Sequence, residues 1–130
     1  MFEMAIQELG DTTVYQLVGR ITLETAGSLR AIILHKQRNR VAVLDLAETT
    51  AIDAAGVGSL ISLRQWAKES GTTLKLMNLT PRAETLLELT NLRGVFQVCT
   101  AQETFELMCR AMHYSPVVEK TQGLELALAG

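Results

Sequence analysis

A chain of 130 residues is long enough for one domain with a substantial core, and 48% apolar with 20% charged side chains is an ordinary globular balance. A formal net charge of −2 argues against nucleic-acid binding, which calls for a basic face. No apolar run approaches the ~20 residues of a membrane span, and the N-terminus lacks the basic and apolar regions of a signal peptide, so a cytoplasmic protein without membrane insertion is expected.

Taken in chain order, Phe2 to Leu9 reads as a strand with approximate alternation at Phe2, Met4 and Ile6. Gly10-Asp11 supplies turn chemistry, and Val14 to Val18 forms a second strand, predicting an antiparallel hairpin. Gly19 to Thr22 leads into a helix from about Leu23 to Gln37, with Ala26, Leu29, Ile32 and Ile33 as its buried stripe. The basic run from His35 to Arg40 then reads as a solvated loop.

Val41 to Leu46 is a short apolar strand without alternation, as expected when both faces are covered. Asp45 is placed near its end. A polar loop carrying Thr49 and Thr50 follows, and Asp53 opens a helix that runs to about Glu69. Asp53 suits the N-cap because its carboxylate can accept the unpaired N–H groups of the first turn. Ala54, Ala55 and Gly56 keep that helix mouth uncrowded, and Gly56 and Gly58 would admit a partner backbone. A strand feeding an open helix N-terminus is a natural docking point. Val57, Leu60, Ile61 and Ala67 are expected to face inward, and Ser70-Gly71 ends the helix.

Leu74 to Leu79 is the next strand. Thr80 caps a helix with Pro81 at its first position, where the missing N–H costs nothing, and Leu86, Leu87 and Leu89 supply its core side. Gly94 precedes a short strand at Val95 to Val98. Thr100 and Glu103 form a capping box, followed by Phe105, Met108, Cys109 and Met112 at helical spacing, a stripe expected to be buried. Strand–strand–helix followed by strand–helix repeats predicts an α/β fold with a mixed, mostly parallel sheet and about four helices. Residues 115–130 form an extension: Val117, Val118, Leu124, Leu126 and Leu128 are apolar, and Leu124 to Leu128 fits either an edge strand or a helix.

The run Val43-Leu44-Asp45-Leu46 and, after the loop, Ile52-Asp53-Ala54-Ala55-Gly56-Val57-Gly58 resembles the STAS domain, the family of sulfate transporters and anti-sigma factor antagonists. Its members read apolar-apolar-Asp-apolar, a short loop, then Ile/Met-Asp-Ser/Thr-Ser/Thr-Gly-Leu-Gly. The resemblance spans about Phe2 to Met112 within a single domain, residues 1–114. It includes Gly19-Arg20-Ile21-Thr22, where many relatives carry Asp at the position of Thr22, and Leu87 to Leu92. It implies strands stacked roughly in sequence order, with the first antiparallel. In the antagonists the second hydroxyl of the motif is phosphorylated by a kinase that doubles as the anti-sigma factor. That position is Ala55 here, so the usual phosphoacceptor is missing.

The resemblance implies a partner-binding rim at Thr49, Thr50, Asp53, Ala54, Ala55, Gly56, Val57 and Gly58. The implied partner is an anti-sigma factor kinase-like protein or another regulatory protein. One alternative is the cytoplasmic STAS subunit of an ABC-type lipid transport system, which binds a transporter ATPase; another is a small-molecule or nucleotide sensor. Thr49, Thr50 and Ser59 are the remaining hydroxyls near the motif and the candidates for a substitute phosphoacceptor, each read first as structural.

No enzyme, cofactor or metal site is legible. Asp45 and Asp53 lack a third ligand, and His35 and His113 belong to no triad or metal motif. Gly56-Val57-Gly58 lacks the spacing and lysine of a phosphate loop. Cys99 and Cys109 read as reduced, buried thiols, and Trp66 as core or interface. Nothing in the sequence reports the oligomeric state.

Overall fold

A computed structural model describes residues 2–112 and 117–120. Six strands, β1 (Phe2–Leu9), β2 (Thr12–Ile21), β3 (Val41–Ile52), β4 (Thr73–Met77), β5 (Gln97–Val98) and β6 (Val117–Lys120), form one sheet in the order β5-β4-β3-β2-β1-β6. β1 pairs antiparallel with β2 and with β6, and the remaining ladders are parallel. Four helices connect the strands: α1 (Leu23–Lys36), α2 (Ala54–Ser70), α3 (Pro81–Leu89) and α4 (Ala101–Ala111). The α/β class and the strand order expected from the sequence are observed. β6 adds a strand at Val117 to Lys120, while Leu124 to Leu128 lies outside the described residues.

The two sides of the sheet are covered unequally. One side holds the main core, where Met4, Tyr15, Leu17, Leu44 and Leu76 of the strands meet Leu29, Ile32 and Ile33 of α1, Leu60 and Leu63 of α2, and Leu87 of α3. The other side carries α4, whose Leu107 and Ala111 pack on a smaller cluster of Leu9, Val14, Val43 and Met77. Strands between helical layers are apolar on both faces, which is why Ala42, Val43 and Leu44 are all buried.

The helix ends follow the sequence closely. Asp53 Oδ1 accepts from the Gly56 amide at 2.8 Å, Thr80 Oγ1 from Ala83 at 3.2 Å, and Thr100 Oγ1 from Glu103 at 3.1 Å. Glu103 returns the contact to the Thr100 amide at 3.0 Å, completing the capping box. Gly71 ends α2 in the left-handed region at φ 74°.

Several expectations are corrected. β2 and β3 run on to Ile21 and Ile52, so the loop expected at Thr49 and Thr50 is strand, and Asp45 lies within β3 rather than at its end. Two register shifts, between Gln16 and Val18 and between Gly19 and Arg20, absorb the extra residues of β3, and Gly19 takes a φ of 110° there. The bulges destroy the period of two, so the polar stretch loses its strand signature. Ile61 and Leu89 face solvent rather than the core, and Leu63, fully buried, replaces Ile61 on α2.

The stripe expected to be buried on α4 is exposed: Phe105 is 69% and Met112 84% accessible, Met108 is also open, and Cys109 is exposed. Helical spacing marks an apolar flank, but nothing among the described residues lies opposite it. The basic loop after α1 hides a polar network. Tyr15 Oη donates to Gln37 Oε1 at 2.7 Å, Gln37 Nε2 donates to Asn39 O at 2.6 Å, and Asn39 Nδ2 donates to Thr13 Oγ1 at 2.9 Å. Burial pushes the Tyr15 hydroxyl to a higher pKa, so it stays protonated and remains a donor.

Lys75 of β4 forms an ion pair with Glu103 of α4. The hydrogen bond from Lys75 holds the Glu103 carboxyl below the usual range, and the same bond raises the Lys75 ammonium. Glu103 therefore adds stability that is complete above its unfolded pKa of about 4.3 and is lost as pH falls through the lower folded value. Lys75→Met should destabilise the protein at neutral pH, and the difference from the parent should shrink as pH falls below about 4.3, as read from urea midpoints across that range.

Candidate functional site

The parallel pairing of β2 with β3 ends at Ile21 opposite Ile52, so both strands stop together and each turns directly into a helix. Asp53 sits in the crotch between them. Besides capping α2 it accepts from the Leu23 amide, the first of α1, through Oδ2 at 3.3 Å. One carboxylate thus stabilises the positive ends of two helices. Its own amide donates to Ile21 O at 3.3 Å, tying the two strand ends together. The start of α1 is fixed further by Thr25 Oγ1, which accepts from the Thr22 amide at 2.9 Å and donates to Arg20 O at 2.6 Å.

Gly56 is part of this joint. A Cβ there would lie 2.1 Å from the Ile21 carbonyl oxygen and 3.0 Å from the Ile52 side chain, so the residue is buried because only a hydrogen fits. The expectation that Gly56 faces a partner is therefore corrected: it admits the protein's own backbone. Val57, 4% accessible, also turns inward. Thr50, Asp53, Ala54 and Gly58 are exposed, and Thr49 and Ala55 are half-buried. Gly58 has no atom within 4 Å of a would-be Cβ, so it keeps the open character expected of both glycines.

The hydroxyls near the motif differ in access. Ser59 is buried and donates to Ala26 O at 3.3 Å, holding α2 against α1. Thr49 Oγ1 is buried with no hydrogen-bond partner among the described residues. Thr50 alone of the three is exposed. Asp45, half-buried, accepts from the Ala47 amide at 3.0 Å and from Asn78 Nδ2 at 3.1 Å, so it braces β3 against the turn after β4.

The structure brings to the rim residues that the sequence reading did not single out. On one flank Arg20, Leu23 and Glu24 surround Asp53 in a recess of about 320 Å³, with Leu23 76% accessible. On the other, Ala51 and Ile52 face Pro81, Arg82, Thr85, Leu86 and Leu89 across an open, largely apolar groove of about 430 Å³. The available signal was Leu89, a third leucine on a helix whose buried face needs fewer.

No acid–base pair or nucleophile converges here. Among the described residues, no three His, Cys, Asp or Glu side chains come together as metal ligands. His35 is exposed, and His113 lies outside the described residues. Cys99 is half-buried and its thiol is pushed up by burial, whereas the exposed Cys109 corrects the expectation of two buried thiols. Trp66 is partly buried against the main core. No helix among the described residues is long and apolar enough to cross a membrane.

Residues 3–106 match the STAS domain. This chain belongs to the STAS domain family. Solved structures share the fold at low identity. A putative anti-sigma factor antagonist from Thermotoga maritima is 19% identical, with a TM-score of 0.71 over 79% of this chain and 92% of that one. An anti-sigma factor antagonist from Mycobacterium paratuberculosis is 17% identical, with a TM-score of 0.64 over 82% and 93%. A sulfate transporter family protein from Wolinella succinogenes is 15% identical, with a TM-score of 0.64 over 81% and 90%. In this STAS domain the family motif occupies the joint between β3 and α2, and Ala55 occupies the second helical position of α2.

Two substitutions separate the joint from the surface. Gly56→Ala should destabilise by about 1–3 kcal/mol, because the added methyl must displace the Ile21 carbonyl. Gly58→Ala should instead stabilise by up to about 1 kcal/mol, since it adds helix propensity in open space. Asp53→Ala should cost about 0.5–2 kcal/mol, toward the upper end if both caps are lost. Denaturant midpoints of the three variants against the parent test the assignment.

Proposed function

We propose that this STAS domain is a non-catalytic regulatory module. It docks a kinase-like anti-sigma factor through Thr50, Asp53, Ala54, Ala55 and Gly58, and it is not switched by phosphorylation at the usual position. The observation that carries this reading is the uncharged first turn of α2, exposed at Ala54 and half-open at Ala55, presented on a joint that Asp53 and Gly56 hold in place. The likeness to anti-sigma factor antagonists supports the partner class.

A phosphate at this turn would place nearly two negative charges beside the positive end of a helix, which the domain itself tolerates. A partner docking over the same turn would meet repulsion and a desolvation cost. With alanine at position 55 the surface stays in its neutral, docking-competent state. A second reading, a cytoplasmic STAS subunit that binds a transporter ATPase, is favoured by the same missing hydroxyl, because such a role needs no phosphate cycle. The structural likeness to a sulfate transporter family protein is compatible with it.

Affinity capture from the native cells, with the recovered protein identified by mass spectrometry, distinguishes the two: a kinase-like regulator supports the first, a transporter ATPase the second. With the recovered partner purified, Ala55→Glu and Gly58→Arg should each keep the native circular dichroism spectrum and weaken binding at least about tenfold, equivalent to about 1.4 kcal/mol. Parental affinity in both well-folded variants would move the interface elsewhere. Incubation with ATP and a recovered kinase should leave residues 53–59 unphosphorylated, while Ala55→Ser should become a substrate. Phosphate found on Thr50 would reveal a displaced switch.

A further inference from the structure

Among the described helices, α4 is the one that packs on the second side of the sheet. Its charged residues lie along the sheet side and one flank: Glu103 pairs with Lys75, Arg110 reaches Leu9 O, and Glu106 lines the recess beside Asp11. The outer face is different. Phe105, Met108 and Met112 are 69%, 55% and 84% accessible, and Ala101 and Cys109 are exposed beside them. Ala101, Phe105, Met108 and Met112 follow one another at intervals of four, three and four residues, the repeat of a coiled-coil seam. The positions that border such a seam are Gln102 and Cys109 on one side and Thr104 and Ala111 on the other. None of those four is Asp, Glu, Lys or Arg.

We propose that α4 pairs with α4 of a second copy of this chain, antiparallel about a two-fold axis through the middle of the helix. In that arrangement Phe105 of each copy packs against Met108 of the other, and Ala101 of each meets Met112 of the other. Both pairings share one centre, between Glu106 and Leu107, so a single register satisfies the whole seam. Antiparallel two-fold pairing also sets each border of the seam beside the same border of its copy, where like charges would repel. Here Gln102 meets Cys109 and Thr104 meets Ala111, so no charge opposes the association of identical chains. A charged partner, by contrast, would find no counter-charge on this face.

The seam sets the strength of the pair. One helix of 11 residues offers well under the about 800 Å² per partner of a standard interface, so the dimer is weak and forms in the high micromolar range. α1 and α2 pack on the opposite side of the sheet, so the rim at their first turns stays open in both copies. The pairing does not rest on the docking role proposed for that rim.

Sedimentation equilibrium of the full chain from about 10 μM to about 1 mM should show the mean mass rising from the monomer value toward twice that value and no further. Met108→Glu sets two carboxylates near the axis and should hold the protein monomeric throughout, with the native circular dichroism spectrum kept because the site is exposed. Phe105→Lys should do the same, which keeps the test decisive if one variant misfolds. In the parent a bismaleimide should link Cys109 of one copy to Cys109 of the other, as read by peptide mapping, and the link should be lost in Met108→Glu. A parent that stays monomeric at every concentration would overturn the proposal. So would a dimer that survives in both folded variants, or a mass that climbs past the dimer.

Discussion

The first turn of α2 packs so tightly against the carbonyl of Ile21, at the end of β2, that a Cβ at Gly56 would not fit. Gly56 makes that approach sterically open, and Asp53 makes it electrostatically favourable by accepting from the first turns of α1 and α2 with its two carboxylate oxygens. The β2–β3 ladder must end in register for this to work, and the bulges at Gly19 and its neighbours set that register. The rim, the angle between α1 and α2, and the Ser59–Ala26 contact behind them all inherit their positions from this joint.

The joint also explains why the proposed docking surface needs so little chemistry. Its first turn contributes small side chains and a helix end whose positive pole is already partly answered by Asp53. On the proposed reading, charge distinguishes one state of such a surface from another, and Ala55 lacks the hydroxyl that would carry it at that position. Its flanks differ: Arg20, Leu23 and Glu24 line the recess beside Asp53, and Arg82 lies on the apolar groove along α3. A groove of apolar residues rimmed by a few polar ones is the usual form of a surface that recognises another protein.

The unequal covering of the sheet is the second theme. Three helices on one side bury a continuous core, while α4 on the other offers Leu107 and Ala111 to a cluster only a few residues wide. The Lys75–Glu103 pair and the Arg110 contact to Leu9 O pin α4 at its two ends without adding much apolar contact.

Local chemistry carried much of the structure in legible form. Caps at Asp53, Thr80 and Thr100, the stop at Gly71, and the order of strands and helices all depend on residues a few positions apart. The motif around Asp53 likewise pointed to the family that residues 3–106 match. Other features depend on what lies opposite. Thr49 and Thr50 became strand because β2 extended alongside them; Gly56 became interior because Ile21 came to rest above it; and Phe105, Met108 and Met112 stayed open because no described element reached them. Periodicity records which side of an element is apolar, a property of one segment, whereas burial requires a second segment to arrive, and only the tertiary structure decides that.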